Sequence, residues 1–395
     1  MDAARLIAKK FGAVLLRVSN GKFDDPVLFV HGRLRECLTL VTVALALWLV
    51  GTAIRRVINR SDRSPGSRGL QQAAVLFISI NLFVWACGRT VLFWSLFYNK
   101  KQVDNFAQYQ IKRELFTELQ GRRRAVLIGN SQTNRSIDEV AMNAMIGSRL
   151  WTTELTQPGA RGFDMLILSR DIPLKRGDWV ICYITEINFY GMGSGIVAAD
   201  FLHFGDIPDL AEFHGWSQLA PGSIRSGLLG KVLPLYRYRN SLSHRLLGWE
   251  ITRVHQSRHD SAVDPDPDAQ AQSSASKLGI GKGSEFEQAA FTRMADELSE
   301  KGCTLIVIAG NLHPALAKRI APEVRDDLAG FFKSLKHRHP DHLAIVDGSG
   351  FFVPDADSFF DLVHFTDHAQ QRFTHGLTLH LQPAVASGLP SDLLE

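Results

Sequence analysis

Apolar residues are distributed unevenly along the chain. Residues 38–54, LTLVTVALALWLVGTAI, carry no charge; Arg33 and Arg35 precede them, and Arg55 and Arg56 follow. This length is at the short end of the roughly 17–25 residues that cross a bilayer as a helix. A second apolar stretch covers residues 70–88, is interrupted by Arg89 and continues as TVLFWSLFY to Tyr98. Its tail is rich in Trp, Phe and Tyr, as expected near a membrane–water interface. After an N-terminal segment (1–36), residues 37–98 are expected to form a two-helix transmembrane hairpin. The alternative, a pair of buried core helices, is disfavoured because such helices rarely run this long without a polar face. A cleaved signal peptide does not fit, since the first apolar span begins late and no small-residue cleavage site follows it. Arg89 is read as snorkelling to the headgroups rather than facing a partner helix.

Residues 99–123 read as a linker helix, and from Arg124 the pattern changes to short apolar runs alternating with amphipathic stretches. Strands are expected at 125–128, 150–155, 179–185, 304–309 and 343–346. Helices are expected at 137–146, 163–170, 285–301 and 314–335, with a terminal one after residue 367. Strands alternating with helices imply an α/β domain, 124–395, built on a parallel, doubly wound sheet. Ligands of such sheets bind at the carboxyl ends of the strands. Two segments interrupt the pattern. Residues 188–252 look like a helical insertion over the strand ends; Arg237, Arg239 and Arg245 in it would meet an anionic substrate or lie on a solvated face. Residues 257–283 contain DPDPDAQAQSSAS and few large apolar side chains, so a mobile loop is expected there.

Composition adds little beyond this. With 395 residues, 45% hydrophobic and 21% charged, there is ample material for a folded core. The net charge of +4 comes from scattered basic residues, which gives no footprint for nucleic acid. Cys37, Cys87, Cys182 and Cys303 form no CxxC or metal-ligand spacing and read as buried thiols. The connection between the two spans carries Arg55, Arg56, Arg60, Arg63 and Arg68 against Asp62 alone. The positive-inside tendency places it in the cytoplasm and the α/β domain outside, although Lys100, Lys101, Lys112 and Arg113 pull the other way.

The candidate chemistry lies at the two ends of the α/β region. The first strand ends in Gly129-Asn130-Ser131-Gln132-Thr133, which puts a hydroxyl at the carboxyl edge of the sheet. A helix following there would aim its first amides at the same spot, suiting a developing oxyanion. The same pattern also arises as a plain helix N-cap. Near the other end, Asp361-Leu362-Val363-His364 precedes the terminal helix. An Asp three residues before a His can fix its tautomer while the His takes a nucleophile's proton. His203 and His313 are polar pocket candidates that also suit loop surfaces, and His368 is a less suitable base than His364. His337, His339 and His342, interleaved with Lys336 and Arg338, read as a solvated helix end rather than a metal site. No P-loop or Gly-rich dinucleotide motif occurs, so no cofactor or metal is implied.

With these residues the region from Arg124 to Leu381, apart from the two insertions, resembles the SGNH/GDSL hydrolase family. The family's GDS block corresponds to Gly129-Asn130-Ser131, with Asn in place of Asp. Its second-block Gly corresponds to Gly159 in TQPGARG, and its D-x-x-H to Asp361 and His364. Its G-x-N-D block is degenerate here, Thr185-Glu186-Ile187-Asn188. The resemblance implies a flavodoxin-like three-layer SGNH hydrolase domain with Ser131, Asp361 and His364 as catalytic residues. It also implies an oxyanion hole from the Ser131 and Gly159 amides and Asn188, with Asn311 of Gly310-Asn311-Leu312-His313 as the alternative donor. The expected activity is serine esterase or deacylase action on acyl groups, most plausibly O-acetyl, of a cell-envelope polysaccharide. Two alternatives stand beside it: an O-acyltransferase using the same residues, and a non-catalytic glycan-binding or assembly subunit. Expected partners are the acylated carbohydrate, the membrane, and a membrane-bound acyltransferase or polysaccharide export complex. The expected location is the bacterial inner membrane, with the α/β domain on the periplasmic side.

Overall fold

A computed structural model describes residues 34–59, 65–88, 90, 93–94, 105–119, 123–191, 196–214, 229–230, 232–238 and 267–387. The chain divides into two compact units: residues 1–115 with 229–255, and residues 116–228 with 256–395.

In the first unit, helices α1 (Leu34–Asn59) and α2 (Pro65–Cys87) pack against each other; α3 (Asn105–Glu118) begins in this unit, and its last three residues belong to the second. The apolar part of α2, Gly69–Cys87, is long and apolar enough to cross a membrane, and only 17% of it is buried. The apolar part of α1, Leu38–Ile54, is shorter. The second apolar stretch does not run on as one helix: α2 ends at Cys87, and Gly88 follows in a turn. Arg89 and residues 95–100 lie outside the described residues.

The second unit is α/β. Five parallel strands, β1 (Arg124–Leu127), β2 (Trp151–Glu154), β3 (Trp179–Ile184), β4 (Thr304–Ala309) and β5 (Leu343–Asp347), form one sheet in the order β2-β1-β3-β4-β5. That order is the one found in flavodoxin-like doubly wound sheets. β1, β3, β4 and β5 form because their apolar runs can be buried on both faces, while the edge strand β2, WTTE, buries only its two threonines. Ala125, Leu127, Ile181, Tyr183, Ile306 and Ile308 share one core with α5 (Glu139–Ile146) and the terminal helix α9 (Asp367–Ser387). The alternate strand residues Val126, Val180, Cys182, Leu305 and Val307 are equally buried, and α7 (Lys282–Glu300) packs on β4, α8 (Pro322–Arg338) on β5 and α6 (Gly162–Asp171) on α7. The short α4 (Ser131–Ser136) follows β1 directly.

Three expectations need correction. Residues 257–283 are not one loop: Pro267–Ala275 is a helix, with Pro267 at its start and Ala271 and Ala275 buried, and α7 begins at Lys282. Alanine spacing allowed one thin face to pack against Pro314–Ala317 where large apolar residues were absent. Residues 257–266 lie outside the described residues. The helix expected over 314–335 is two, Pro314–Ala317 and α8, because Pro322 supplies no N–H and takes the first position of a new helix. The insertion 188–252 is not a single element of the α/β unit: residues 229–255 belong to the first unit. In its described part the helices are short: Ile187–Tyr190, Ile207–His214 and Pro234–Arg237.

Candidate active site

In the order β2-β1-β3 the chain leaves β1 outward to β2 and returns to β3, so the topological switch point lies at the carboxyl end of β1. Ser131 sits there. Gly129, at φ +159°, makes the turn possible, because a Cβ at that position would lie 2.0 Å from Thr133 Oγ1. Asn130 then caps α4, its side chain accepting the Gln132 amide at 2.8 Å, which leaves Ser131 as the first helical residue.

The loop before α9 carries the second half. An antiparallel bridge between Phe359 and Phe365 and the Phe360 N–H to His364 carbonyl bond at 3.1 Å pinch it into a tight turn. Asp361 Oδ1 accepts the amides of Val363 and His364, both at 2.8 Å, and its Oδ2 meets His364 Nδ1 at 2.7 Å. The opposite ring nitrogen, His364 Nε2, lies 2.8 Å from Ser131 Oγ. A carboxylate that only accepts assigns the proton to Nδ1 and leaves Nε2 as an acceptor toward the serine. Burial pushes the Asp361 carboxyl up, but the His364 ring hydrogen bond, the charge of the imidazole and the two amides outweigh it and hold it below the ordinary range.

The structure therefore brings Ser131, His364 and Asp361 into one hydrogen-bonded line from residues 233 positions apart. Gly159 also belongs to this edge. It follows β2 at φ +80°, and its turn is pinned by the Gln157 N–H to the Gly129 carbonyl at 2.9 Å. Neither the Ser131 nor the Gly159 amide makes a hydrogen bond among the described residues. Asn188 is fully buried; its Oδ1 accepts the Thr185 amide at 2.8 Å, while its Nδ2 has no partner among the described residues. Thr185 Oγ1 donates to Gln132 Oε1 at 3.0 Å, so Asn188 is linked through Thr185 to the residue beside Ser131. Asn311 is engaged elsewhere. Its backbone exchanges hydrogen bonds with the Tyr183 hydroxyl, and its Nδ2 lies 3.5 Å from the Phe352 carbonyl.

The remaining histidines take other places. His313 caps Pro314–Ala317 by accepting the Ala315 amide at 3.1 Å; burial pulls its pKa down against the charges of Asp268 and Asp361. His203 lies 3.3 Å from Asp171, and His368 lies exposed in the first turn of α9. His337, His339 and His342 lie at or just before the amino end of β5, the sheet edge opposite Ser131, with His339 2.9 Å from Asp296. Among the described residues no group of three His, Cys, Asp or Glu is placed to hold a metal. Cys87, Cys182 and Cys303 are free and buried. The side chains of Arg237, Arg239 and Arg245 lie outside the described residues.

Two neighbours were not anticipated. The Phe360 ring lies parallel to the His364 imidazole, 5.3 Å between centroids and 9° between planes. Arg135, one turn after Ser131, reaches over Phe360 at 5.8 Å and lies 3.6 Å from Asp367. The signal for Phe360 was its position beside Asp361; aromatic neighbours of a loop acid usually read as core. No protein-family model matches the chain, and no curated protein is similar to it.

A serine with an imidazole in line has the nucleophile and base for acyl transfer, and the Ser131 and Gly159 amides follow β1 and β2 at the same sheet edge. The hydroxyl oxygen can attack an ester carbonyl while His364 takes its proton, and the imidazolium can then protonate the leaving alcohol.

Proposed function

We propose that the α/β unit is a serine esterase that removes O-acetyl groups from a carbohydrate of the cell envelope. The observation that carries this reading is the 2.8 Å and 2.7 Å line from Ser131 through His364 to Asp361. Attack by Ser131 forms an acyl-enzyme and releases the sugar hydroxyl. Water, deprotonated by His364, then releases the carboxylic acid and frees the serine. Donors for the oxyanion are the Ser131 and Gly159 amides, with Asn188 Nδ2 as the side-chain donor; loss of one such donor typically costs about 10²–10³ in rate. The same acyl-enzyme would give a transferase if a sugar hydroxyl replaced water, and product analysis with a glycan acceptor separates the two.

The envelope setting rests on the first unit, which we read as a two-helix transmembrane hairpin. Supporting this, α1 and α2 hold large apolar side chains outward: Trp48 is 64% exposed, Leu70 74% and Trp85 57%. Such continuous apolar surface is unfavourable in water and matches lipid.

A fluorophosphonate probe tests the chemistry. Wild-type protein is expected to be labelled stoichiometrically and the Ser131→Ala variant not at all. Equal labelling of the two, or none of the wild type, sinks the assignment.

A further inference from the structure

Asn81 is a polar residue near the end of the apolar α2, only 8% exposed. A polar side chain in such a helix is costly unless paired. Its Nδ2 donates to the Phe77 carbonyl at 2.9 Å within α2, and its Oδ1 accepts the Leu235 amide at 3.1 Å, 154 residues further along the chain. Tyr238 belongs to the same distant segment. Its ring meets Trp94 edge-on at 4.6 Å and Phe106 at 5.6 Å, while Trp94 Nε1 donates to the Gly88 carbonyl at 2.7 Å. The segment is thus clamped at the carboxyl end of α2 by one amide and by a Trp/Tyr/Phe cluster in which Trp94 and Tyr238 are buried. Among its described residues, Leu229 is 36% and Val232 66% exposed. At the same end of α2, Leu82 and Trp85 are 50% and 57% exposed. The sequence interleaves Lys231, Arg237 and Arg239 with these residues, cations that favour anionic headgroups.

We infer that residues 229–238 form a second membrane contact, an interfacial segment seated in the headgroup layer of an anionic bilayer beside the end of α2. The inference rests on the hairpin anchor proposed above. Lipid is the partner because the segment is fixed to α2 at Asn81 with Leu229 and Val232 left exposed, α2 is the helix read as crossing the bilayer, and the sequence sets cations among these residues. The consequence concerns the long insertion: the chain passes from the α/β unit to the first unit after residue 228 and back after 255. The insertion is then a second tether to the membrane rather than a lid over the strand ends.

The test uses full-length protein in vesicles of phosphatidylcholine and phosphatidylglycerol, in a Cys37→Ala background, the other three cysteines being fully buried. An environment-sensitive dye is placed at Val232→Cys, at Leu45→Cys on α1, and at Val353→Cys, which is 79% exposed in the α/β unit. Quenchers are lipids bearing a nitroxide high or deep on the acyl chain. The Val232 dye is expected to be quenched at least twofold more by the shallow nitroxide than by the deep one, the Leu45 dye more by the deep one, and the Val353 dye by neither. Adding Asn81→Ala is expected to cut quenching at Val232 by more than half without altering Leu45. A Val232 dye as unquenched as Val353 while Leu45 is quenched overturns the inference alone. A Val232 dye shielded from both lipids and from aqueous iodide marks a protein-covered surface and also overturns it. An unquenched Leu45 dye overturns the anchor itself, and the inference with it.

Discussion

His364 reaches Ser131 with one ring nitrogen and Asp361 with the other, so the chemistry depends on which nitrogen carries the proton. Asp361→Asn tests this directly. The asparagine Nδ2 can donate to Nδ1, which forces the proton onto Nε2, where it faces Ser131 and blocks proton acceptance. The turn would persist, since the Oδ1 acceptor of the Val363 and His364 amides is retained. The expected outcome is a fall in acyl-enzyme formation from a 4-nitrophenyl ester of roughly 10⁴-fold, with melting temperature little changed. A fall of less than tenfold would mean that Asp361 only shapes the loop. Ser131, Asp361 and His364 were legible because each is tied to a local pattern, a strand end or a four-residue turn. Asn188 was legible as a position but not as a geometry, since its Oδ1 is taken by the Thr185 amide and that bond depends on how β3 ends. Phe360 was legible only as a sequence neighbour of Asp361. Its face-to-face placement on His364 is set by the Phe359–Phe365 bridge, which no spacing announces.

At the scale of elements, the amino end of α6 is held by buried charge. Arg161 precedes the helix, Asp164 Oδ2 accepts the Arg161 amide at 3.1 Å, and its Oδ1 accepts the Ala198 amide at 2.8 Å. From α7, Glu287 Oε2 accepts the Phe163 amide at 2.9 Å, and Oε1 lies 3.5 Å from Arg161 Nε. Burial pushes Asp164 up to about 6 and Glu287 to about 7, against the hydrogen bonds and the Arg161 charge that favour ionisation. Both carboxyls hold a proton more tightly folded than unfolded. Their contribution is therefore fully present below about pH 4 and is lost as pH rises to about 7. A shift of about two units on one carboxyl corresponds to roughly 3 kcal/mol, and the pair titrates as a unit. Thermal melts of the full protein are expected to show the α/β transition falling between about pH 4 and pH 7, with a shallower fall in Glu287→Gln. A transition rising over that range would show that other groups dominate. This latch illustrates what the sequence hides. Four of the five strands, β1, β3, β4 and β5, were readable as apolar runs closed by Gly, Asp or Thr, and β2, WTTE, was readable from the apolar residues Leu150 and Leu155 that bracket it. The pairing of Glu287 with the amino end of α6 is a contact 124 residues apart, and nothing in an amphipathic helix pattern marks one glutamate as inward. Pro322 was the one local signal that could have split the helix expected over 314–335.

For the whole molecule, everything proposed about substrate depends on the side of the membrane to which Ser131 is delivered. The loop between α1 and α2 carries Arg60 and Arg63, with Arg55 and Arg56 at the end of α1 and Arg68 in the first turn of α2, against a single acid, Asp62. Beyond α2 the nearest cations are Arg89, Lys100 and Lys101. Short loops dense in arginine are retained in the cytoplasm, and residues within about 15–20 of a span end count most. With α1 and α2 crossing the membrane as proposed, their connection outweighs the flank of α2, and the C-terminus is expected outside. An alkaline phosphatase fused after Glu395 should be active in cells, and a green fluorescent protein fused there should be dark. Replacing Arg55, Arg56, Arg60 and Arg63 with Ser should shift part of the population toward the opposite pattern, since it leaves Lys100 and Lys101 as the stronger cluster. If the unaltered chain gives bright fluorescence and inactive phosphatase, Ser131 faces the cytoplasm and an envelope glycan cannot reach it. The serine chemistry would survive that result, because it rests on distances within the α/β unit, but its substrate would have to be a cytoplasmic ester.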